Sequence, residues 1–336
     1  MVPHASVRVL DEREIRSLIG PAEALAECRE AFARLARREA ELPEVLALEI
    51  REHRGEVHAK GGYLHGAPYF SIKVASGFYD NPRRGLPVSS GAVWVFEADT
   101  GRLAAILLDN AFLTELRTGA AGALAAELLA RQEARTVGVL GSGSQARYQL
   151  EALLQVRRPA GVRVWSPTRA NAERYAREMQ QRFGLPVGVA RSAEEVVRAA
   201  DLLVTATPAR AAIVRADWVG PGTHITAMGA DLPGKQELEP ALLARAKVVA
   251  DRLAQCLTQG EIHHAVAAGT LRPEQVHAEL GEIAAGMKPG RTSDAEITIA
   301  DLTGVGVQDA AVAAFVTQRA VAAGIGRMLD LDGPAV

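Results

Sequence analysis

The sequence predicts an α/β protein built on a doubly wound parallel sheet, joined to a second unit of α+β type. Three observations carry that expectation. Between about residues 136 and 250, short β-branched apolar runs alternate with amphipathic stretches, the pattern of a parallel sheet with right-handed crossovers. The first of these runs, Thr136–Leu140, ends in Gly141-Ser142-Gly143-Ser144-Gln145-Ala146, where a strand meets a tight turn and a helix start. Ahead of it, from about Val45 to Phe96, the pattern is of short strands separated by Gly, Pro and Asn.

In chain order, residues 11–40 read as helix. Leu18, Leu25, Cys28, Phe32 and Leu35 recur at helical spacing, and Pro21 suits a first turn. Strands follow around Val57, Tyr63-Leu64, Tyr69–Val74 and Ala92–Phe96. Asp99-Thr100-Gly101 reads as a hairpin turn, and Leu103–Leu108 as the returning strand. A helix is expected over 114–130. Strands are then expected at 136–140, 162–166, 201–206, 223–228, 247–250 and 297–302, with helices at 144–155, 168–183 and 192–199. The last helix, 308–323, carries Val312, Phe315, Val316 and Ala320 on one face and is expected to pack back on the first unit.

Composition narrows the function classes. A chain of 336 residues has room for two domains, and 48% hydrophobic with 23% charged residues is ordinary for a soluble globular protein. A net charge of -2 gives no electrostatic case for nucleic acid or an acidic membrane. No apolar run reaches the ~18 residues of a membrane helix, and Met1-Val2-Pro3-His4 carries no signal-peptide pattern. Cys28 and Cys256 have no metal-site spacing and read as reduced thiols of a cytoplasmic protein. Only five of the 38 basic residues are lysines: Lys60, Lys73, Lys235, Lys247 and Lys288. A lysine kept in such a chain is a candidate for proton transfer, which arginine cannot perform.

The glycine motif points to a dinucleotide in a Rossmann-type unit. Gly141 lets the chain turn, Gly143 lets the backbone approach a pyrophosphate, and Ala146 keeps helix and strand close. Ser144 and Gln145 then lie at the helix N-terminus, whose N–H groups and dipole hold phosphate. After the second strand, where an NAD site places Asp or Glu, the chain has Ser166-Pro167-Thr168-Arg169. Ser166, Thr168 and Arg169 suit a 2′-phosphate, so NADP(H) is favoured, with NAD(H) as the alternative. The hydroxyls of Thr205 and Thr207 either line the coenzyme or cap their loop. Asp231, just past the strand expected at 223–228, is a candidate acid or base, or a turn cap. Lys73, inside an apolar strand, points to a cavity or sits at a solvated edge. Arg117 opens a small-residue helix; it either grips a carboxylate bidentately or forms a structural ion pair. Lys60 and Thr303 join it as candidate substrate contacts, and Val305 and Gly229 as coenzyme contacts. His263-His264 lacks any accompanying ligand pattern, so no metal is expected. No Gly-x-Ser-x-Gly elbow is present.

Six segments together resemble the ornithine cyclodeaminase/mu-crystallin family over nearly the whole chain. They are Ser71–Val74, Gly85-Leu86-Pro87, Leu116–Ala121, Gly141–Ala146, Gly229–Lys235 and Asp301–Asp309. The resemblance implies a homodimer, with residues 1–125 and 308–336 as substrate-binding and dimerisation domain and 126–307 as Rossmann domain. It implies that Lys73 and Asp231 are the proton-transferring pair, that Arg117 lies near the substrate carboxylate, and that Lys235 touches the coenzyme. Three departures weaken an ornithine substrate: Ala47 where an arginine is expected, Val88 for a threonine, and Leu302 for a serine. Leu107–Asn110 and Asp301–Gly304 look more like the imine-reductase and ectoine-utilisation branch, and Gly229–Leu238 like alanine dehydrogenase. The expected reaction is hydride transfer between a nicotinamide and the α-carbon of a small imino acid. The alternatives are a cyclodeaminase that recycles its coenzyme and a mu-crystallin-like protein that only binds coenzyme and ligand.

Overall fold

The computed structural model describes residues 6–331. The chain forms two compact units, one running to Arg117 and resuming at Val305, the other spanning Thr118–Gly304. It passes from the first to the second inside helix Phe112–Leu129.

In the first unit a sheet runs, edge to edge, through Arg327–Asp330, Ser6–Asp11, Leu103–Leu108, Ser89–Glu97, Tyr69–Phe78, Gly55–Leu64 and Ala40–Glu41, with Leu46–Ile50 also paired to Gly55–Leu64. Only Ser6–Asp11 and Leu103–Leu108 are parallel. Alternation sets the faces. Val93, Val95, Ala105 and Leu107 are buried, while Ile72 and Leu108 are exposed. Helices Pro21–Ala36 and Gly306–Ala323 pack together in this unit, and the second of them lies on strands Gly55–Leu64 and Tyr69–Phe78. Gly306 allows that approach: a Cβ there would fall 2.0 Å from the Gly61 carbonyl oxygen, and one on Gly62 would fall 2.8 Å from the Gly306 oxygen. The close start carries Asp309, one turn further on, toward the strands that bear Lys60 and Lys73.

The single helix expected over 11–40 is corrected to two. Asp11 ends a strand and caps helix Glu12–Leu18, its Oδ1 accepting from Glu14 N at 2.8 Å while Glu14 Oε2 accepts from Asp11 N at 2.9 Å. The second helix starts at Pro21. A proline lacks the N–H a helix interior needs and pushes its predecessor out of helical geometry, so periodicity alone could not carry the helix through.

The second unit is an all-parallel sheet in the order Val187–Val189, Gly161–Trp165, Thr136–Leu140, Leu202–Thr205, His224–Ala227, Thr298–Asp301, Lys247–Ala250, Ala278–Glu279. Leu202 and Val204 face a core shared with helices Ser144–Val156 and Arg169–Phe183, through Leu150, Leu153, Tyr175 and Met179. Leu203 faces the other core, with Val196, Val197 and Ile262. Helices therefore cover both faces, which is the doubly wound arrangement. Strand order reverses between Thr136–Leu140 and Leu202–Thr205, and ligands of such sheets bind beyond the strand C-termini at that point. Among the described residues no helix is long and apolar enough to cross a membrane.

Candidate active site

The glycine turn lies at the reversal point of the second unit. Gly141 has φ +109, and a Cβ there would fall 2.4 Å from the Ala206 oxygen, so both conformation and space require glycine. Gly143 caps helix Ser144–Val156 and has no atom within 4 Å of where a Cβ would sit. The protein's own packing therefore does not demand a glycine at 143, and the space over it is left open for a close backbone approach. Gly143 and Ser144 are exposed and Gln145 half-buried, while Ala146 is fully buried against the sheet core. The first turn of a helix has N–H groups without intrahelical acceptors, and here that turn is open. Arg147, not singled out in the sequence, braces it. Its Nη1 donates to the Ser142 and Gly143 carbonyls at 2.6 and 2.9 Å, and Glu178 holds the same guanidinium. These residues fit a dinucleotide.

Beyond strand Gly161–Trp165, Ser166 is half-buried and Thr168 and Arg169 are exposed. The Arg169 Nε donates to Glu173 at 2.8 Å, one turn along its own helix. The Thr207 N–H and hydroxyl both donate to Glu237 Oε1 at 2.7 Å, and Gly229 N donates to Oε2 at 2.9 Å. Fully buried Thr205 faces the same carboxyl. Glu237 thus ties two strand-end loops together, and Thr207 caps its loop. Burial pushes the Glu237 carboxyl up to about 7 against those donors. Asp301 caps helix Gly260–Ala267 through Ile262 N at 2.8 Å, and burial raises it likewise to about 7. Sequence reasoning passed over both carboxyls: Asp301 closes the apolar strand run 297–302, whereas Glu237 lies in the polar stretch Lys235-Gln236-Glu237-Leu238-Glu239, which gives no such signal.

Asp231 is 41% exposed and accepts from Lys235 Nζ at 2.8 Å, while Lys235 itself is buried. Thr303 is buried, its hydroxyl donating to Asp251 Oδ1 at 3.0 Å and accepting from Gln255 Nε2 at 2.8 Å. Those two bonds fix the hydroxyl within its own unit. His263 and His264 turn their rings to different carbonyls, of Leu257 and Lys235.

In the first unit, strand register sets Lys60 directly opposite Lys73, both on the buried face. Asp309 Oδ1 lies 3.4 Å from Lys73 Nζ and 3.0 Å from Arg117 Nε. All three side chains are at most 5% exposed. Burial drives the Lys73 ammonium down to about 7, opposed by Asp309. Burial works to raise Asp309, but Arg117, Lys73 and Lys60 outweigh it and hold the carboxyl below its usual range. Gln308 Nε2 donates to the Arg117 carbonyl at 3.2 Å and Cys28 Sγ sits 3.6 Å from the same oxygen, so the arginine's backbone is pinned as well. Asp309 Oδ2 and Ser71 Oγ are buried without a hydrogen bond. Such orphan atoms beside an excess of cations suit a small anionic ligand with a donor group. A lysine poised near neutrality beside a guanidinium can exchange a proton with a molecule whose carboxylate the guanidinium holds.

The model of the ornithine cyclodeaminase/mu-crystallin family matches residues 6–324. The chain belongs to that family. Within the ornithine cyclodeaminase/mu-crystallin family it is similar to the iminosuccinate reductase of Paracoccus denitrificans, at 37% identity over 96% of this chain and 99% of that one. Among solved structures it resembles an archaeal alanine dehydrogenase dimer with bound NAD, at 39% identity and a TM-score of 0.91, covering 97% of this chain and 99% of that one. The Thermococcus litoralis Δ1-pyrroline-2-carboxylate reductase in complex with NADH and L-proline superposes with a TM-score of 0.92 at 30% identity, over 96% and 99% of the two chains.

Proposed function

We propose that this member of the family is a nicotinamide-dependent reductase of small α-imino acids, working with NADP(H) in preference to NAD(H). The buried Lys73–Asp309–Arg117 group carries the reading. It offers a fixed guanidinium for an α-carboxylate and an amine that changes charge near neutral pH. Relatives named for imine reduction and for alanine dehydrogenation lend it support.

When bound, the reduced coenzyme supplies a hydride to the α-carbon. Arg117 holds the substrate carboxylate and so fixes that carbon. As the C=N pair moves to nitrogen, Lys73 gives the nitrogen a proton, and takes one back in amino-acid oxidation. Asp231 serves as the second proton carrier, and Lys60 adds positive charge for the anionic substrate. The turn Gly141–Ala146 seats the pyrophosphate with Ser144 and Gln145, and Lys235 and Val305 contact the coenzyme. Ser166, Thr168 and Arg169 take the 2′-phosphate. They support NADP(H) because the strand-end segment Trp165–Arg169 itself carries no carboxylate, Glu173 lying one turn along the helix on Arg169.

The outer sheet face of the first unit supports a homodimer. Ile72 pairs with Trp94, Trp94 with Ile106, and Phe70 with Phe96, whose rings stack at 5.0 Å. An apolar sheet face of this kind is the usual mark of an interface. Sedimentation of the purified protein is expected to give a dimer; a monomer at micromolar concentration would remove the proposal.

A panel of 2-oxo acids with ammonia or methylamine, run beside ornithine and iminosuccinate, tests the reaction. We expect NADPH to be consumed in step with amino acid formed, with a higher kcat/KM than NADH. Ammonia released from ornithine without net oxidation of the coenzyme would overturn the reading in favour of cyclisation. Equal kcat/KM for the two coenzymes would remove the NADP(H) preference.

A further inference from the structure

We propose that Asp309 is the positioning residue of this site, holding the Lys73 ammonium and the Arg117 guanidinium with one carboxylate oxygen and so governing when Lys73 gives up its proton. The proposal rests on the reading of Lys73 as the proton carrier. One oxygen, Oδ1, serves both cations, at 3.4 and 3.0 Å. Asp309 can reach them because Gly306 brings its helix against the backbone of Gly61 and Gly62.

The charges around Lys73 come from four elements. Lys60 stands opposite it on strand Gly55–Leu64, Arg117 on helix Phe112–Leu129, and Asp309 on helix Gly306–Ala323. Asp109, after strand Leu103–Leu108, also acts on Lys73, but burial raises its carboxyl, which weakens it as a counter-charge. The Cys28 thiol on helix Pro21–Ala36 is pushed by burial up to about 12 and stays neutral. Two cations and a weakened acid thus surround Lys73, and Asp309 is the firmly ionised anion among them. Its Oδ2 is buried without a hydrogen bond, so the contacts that hold the carboxylate to Lys73 and Arg117 run through Oδ1.

The test is the pH profile of Asp309→Asn, which keeps the shape and removes the charge. In imino-acid reduction Lys73 must carry its proton, so activity falls as pH rises through its pKa. Without the Asp309 charge that limb is expected to move to lower pH by about one unit or more. In amino-acid oxidation Lys73 must be free, so the rising limb moves the same way. A merely structural aspartate would lower kcat and Tm at every pH and leave the midpoint in place, which would overturn the proposal. Asp309→Glu guards against a misfolded Asn variant: it is expected to lose kcat yet keep the wild-type midpoint, and a shift as large as that of Asn would count against the charge.

A readout without turnover runs beside it. A lysine whose folded pKa lies below its unfolded one makes folding stability rise with pH between the two. That rise in Tm, taken against Lys73→Met, is expected to begin at lower pH in Asp309→Asn; an unmoved onset overturns the proposal. Wild-type protein inactive on every imino acid would sink the proposed reaction instead, with Asp309 still judged by this onset.

Discussion

Lys73→Met is expected to lower kcat/KM for imino-acid reduction by roughly 10²–10⁴-fold, the usual span for a lost acid–base group. Coenzyme affinity should be unchanged, because the glycine turn and its Arg147 brace lie entirely within the second unit. Met fills the buried volume that Lys73 leaves, so the loss should not come from a cavity. Stability offers an independent check. The Lys73 folded pKa, about 7, lies below the value of about 10.4 for an unfolded lysine. Between the two the unfolded chain binds the extra proton, so wild-type stability rises with pH there and the rise is absent from the variant. Steady-state kinetics, coenzyme fluorescence titration and Tm against pH measure the three effects. Turnover within a few-fold of wild type would remove Lys73 from the chemistry.

Much of this architecture is legible in the residues. Six strands of the parallel sheet announce themselves because each is an apolar run bounded by turn chemistry. The two that do not, Val187–Val189 and Ala278–Glu279, are the sheet's edges, two or three residues long. Edge strands have one neighbour and little buried surface, so they leave too short a pattern to read. Ser6–Asp11 and Arg327–Asp330 escape for a related reason: they pair with each other across almost the full length of the chain. No local signal encodes so distant a partner.

The site is legible in the same uneven way. Lys73 stands out because a charge inside an apolar strand must be explained. The partner that explains it, Asp309, lies on a helix 236 positions along the chain, and only the fold brings them together. Conversely, the sequence leaves Thr207 as either a coenzyme contact or a loop cap and offers Thr303 as a substrate contact, because strand-end hydroxyls can do either. The structure commits both to buried carboxyls, Glu237 and Asp251. A residue's type shows what it can bond to, whereas its partner is settled by packing.

Arg117→Met should have the second large effect, and it separates binding from architecture. Removing one of the two cations that contact Asp309 Oδ1 leaves a buried carboxylate with less counter-charge, at a cost below the about 3–5 kcal/mol of a fully broken buried pair. Asp309 would keep only Lys73 and Lys60 as nearby cations. In wild type its depressed pKa contributes stability above the unfolded carboxylate value, lost as pH falls through the folded one. In the variant the carboxyl shifts upward, so the stability gap between the two proteins should be small in acid and widen toward neutral pH. Substrate affinity should fall too, because a charge-assisted bond is worth about 1.5–3 kcal/mol, or roughly 10–100-fold in KM. Arg117→Lys decides between the two roles. It returns the charge to Asp309 and so should recover most of the lost Tm. It cannot restore the planar fork that grips a carboxylate, so KM should stay high. If Arg117→Lys instead restored KM together with Tm, Arg117 would be a structural partner of Asp309 alone. The substrate carboxylate would then have to be held by Lys60, the remaining buried cation on that face.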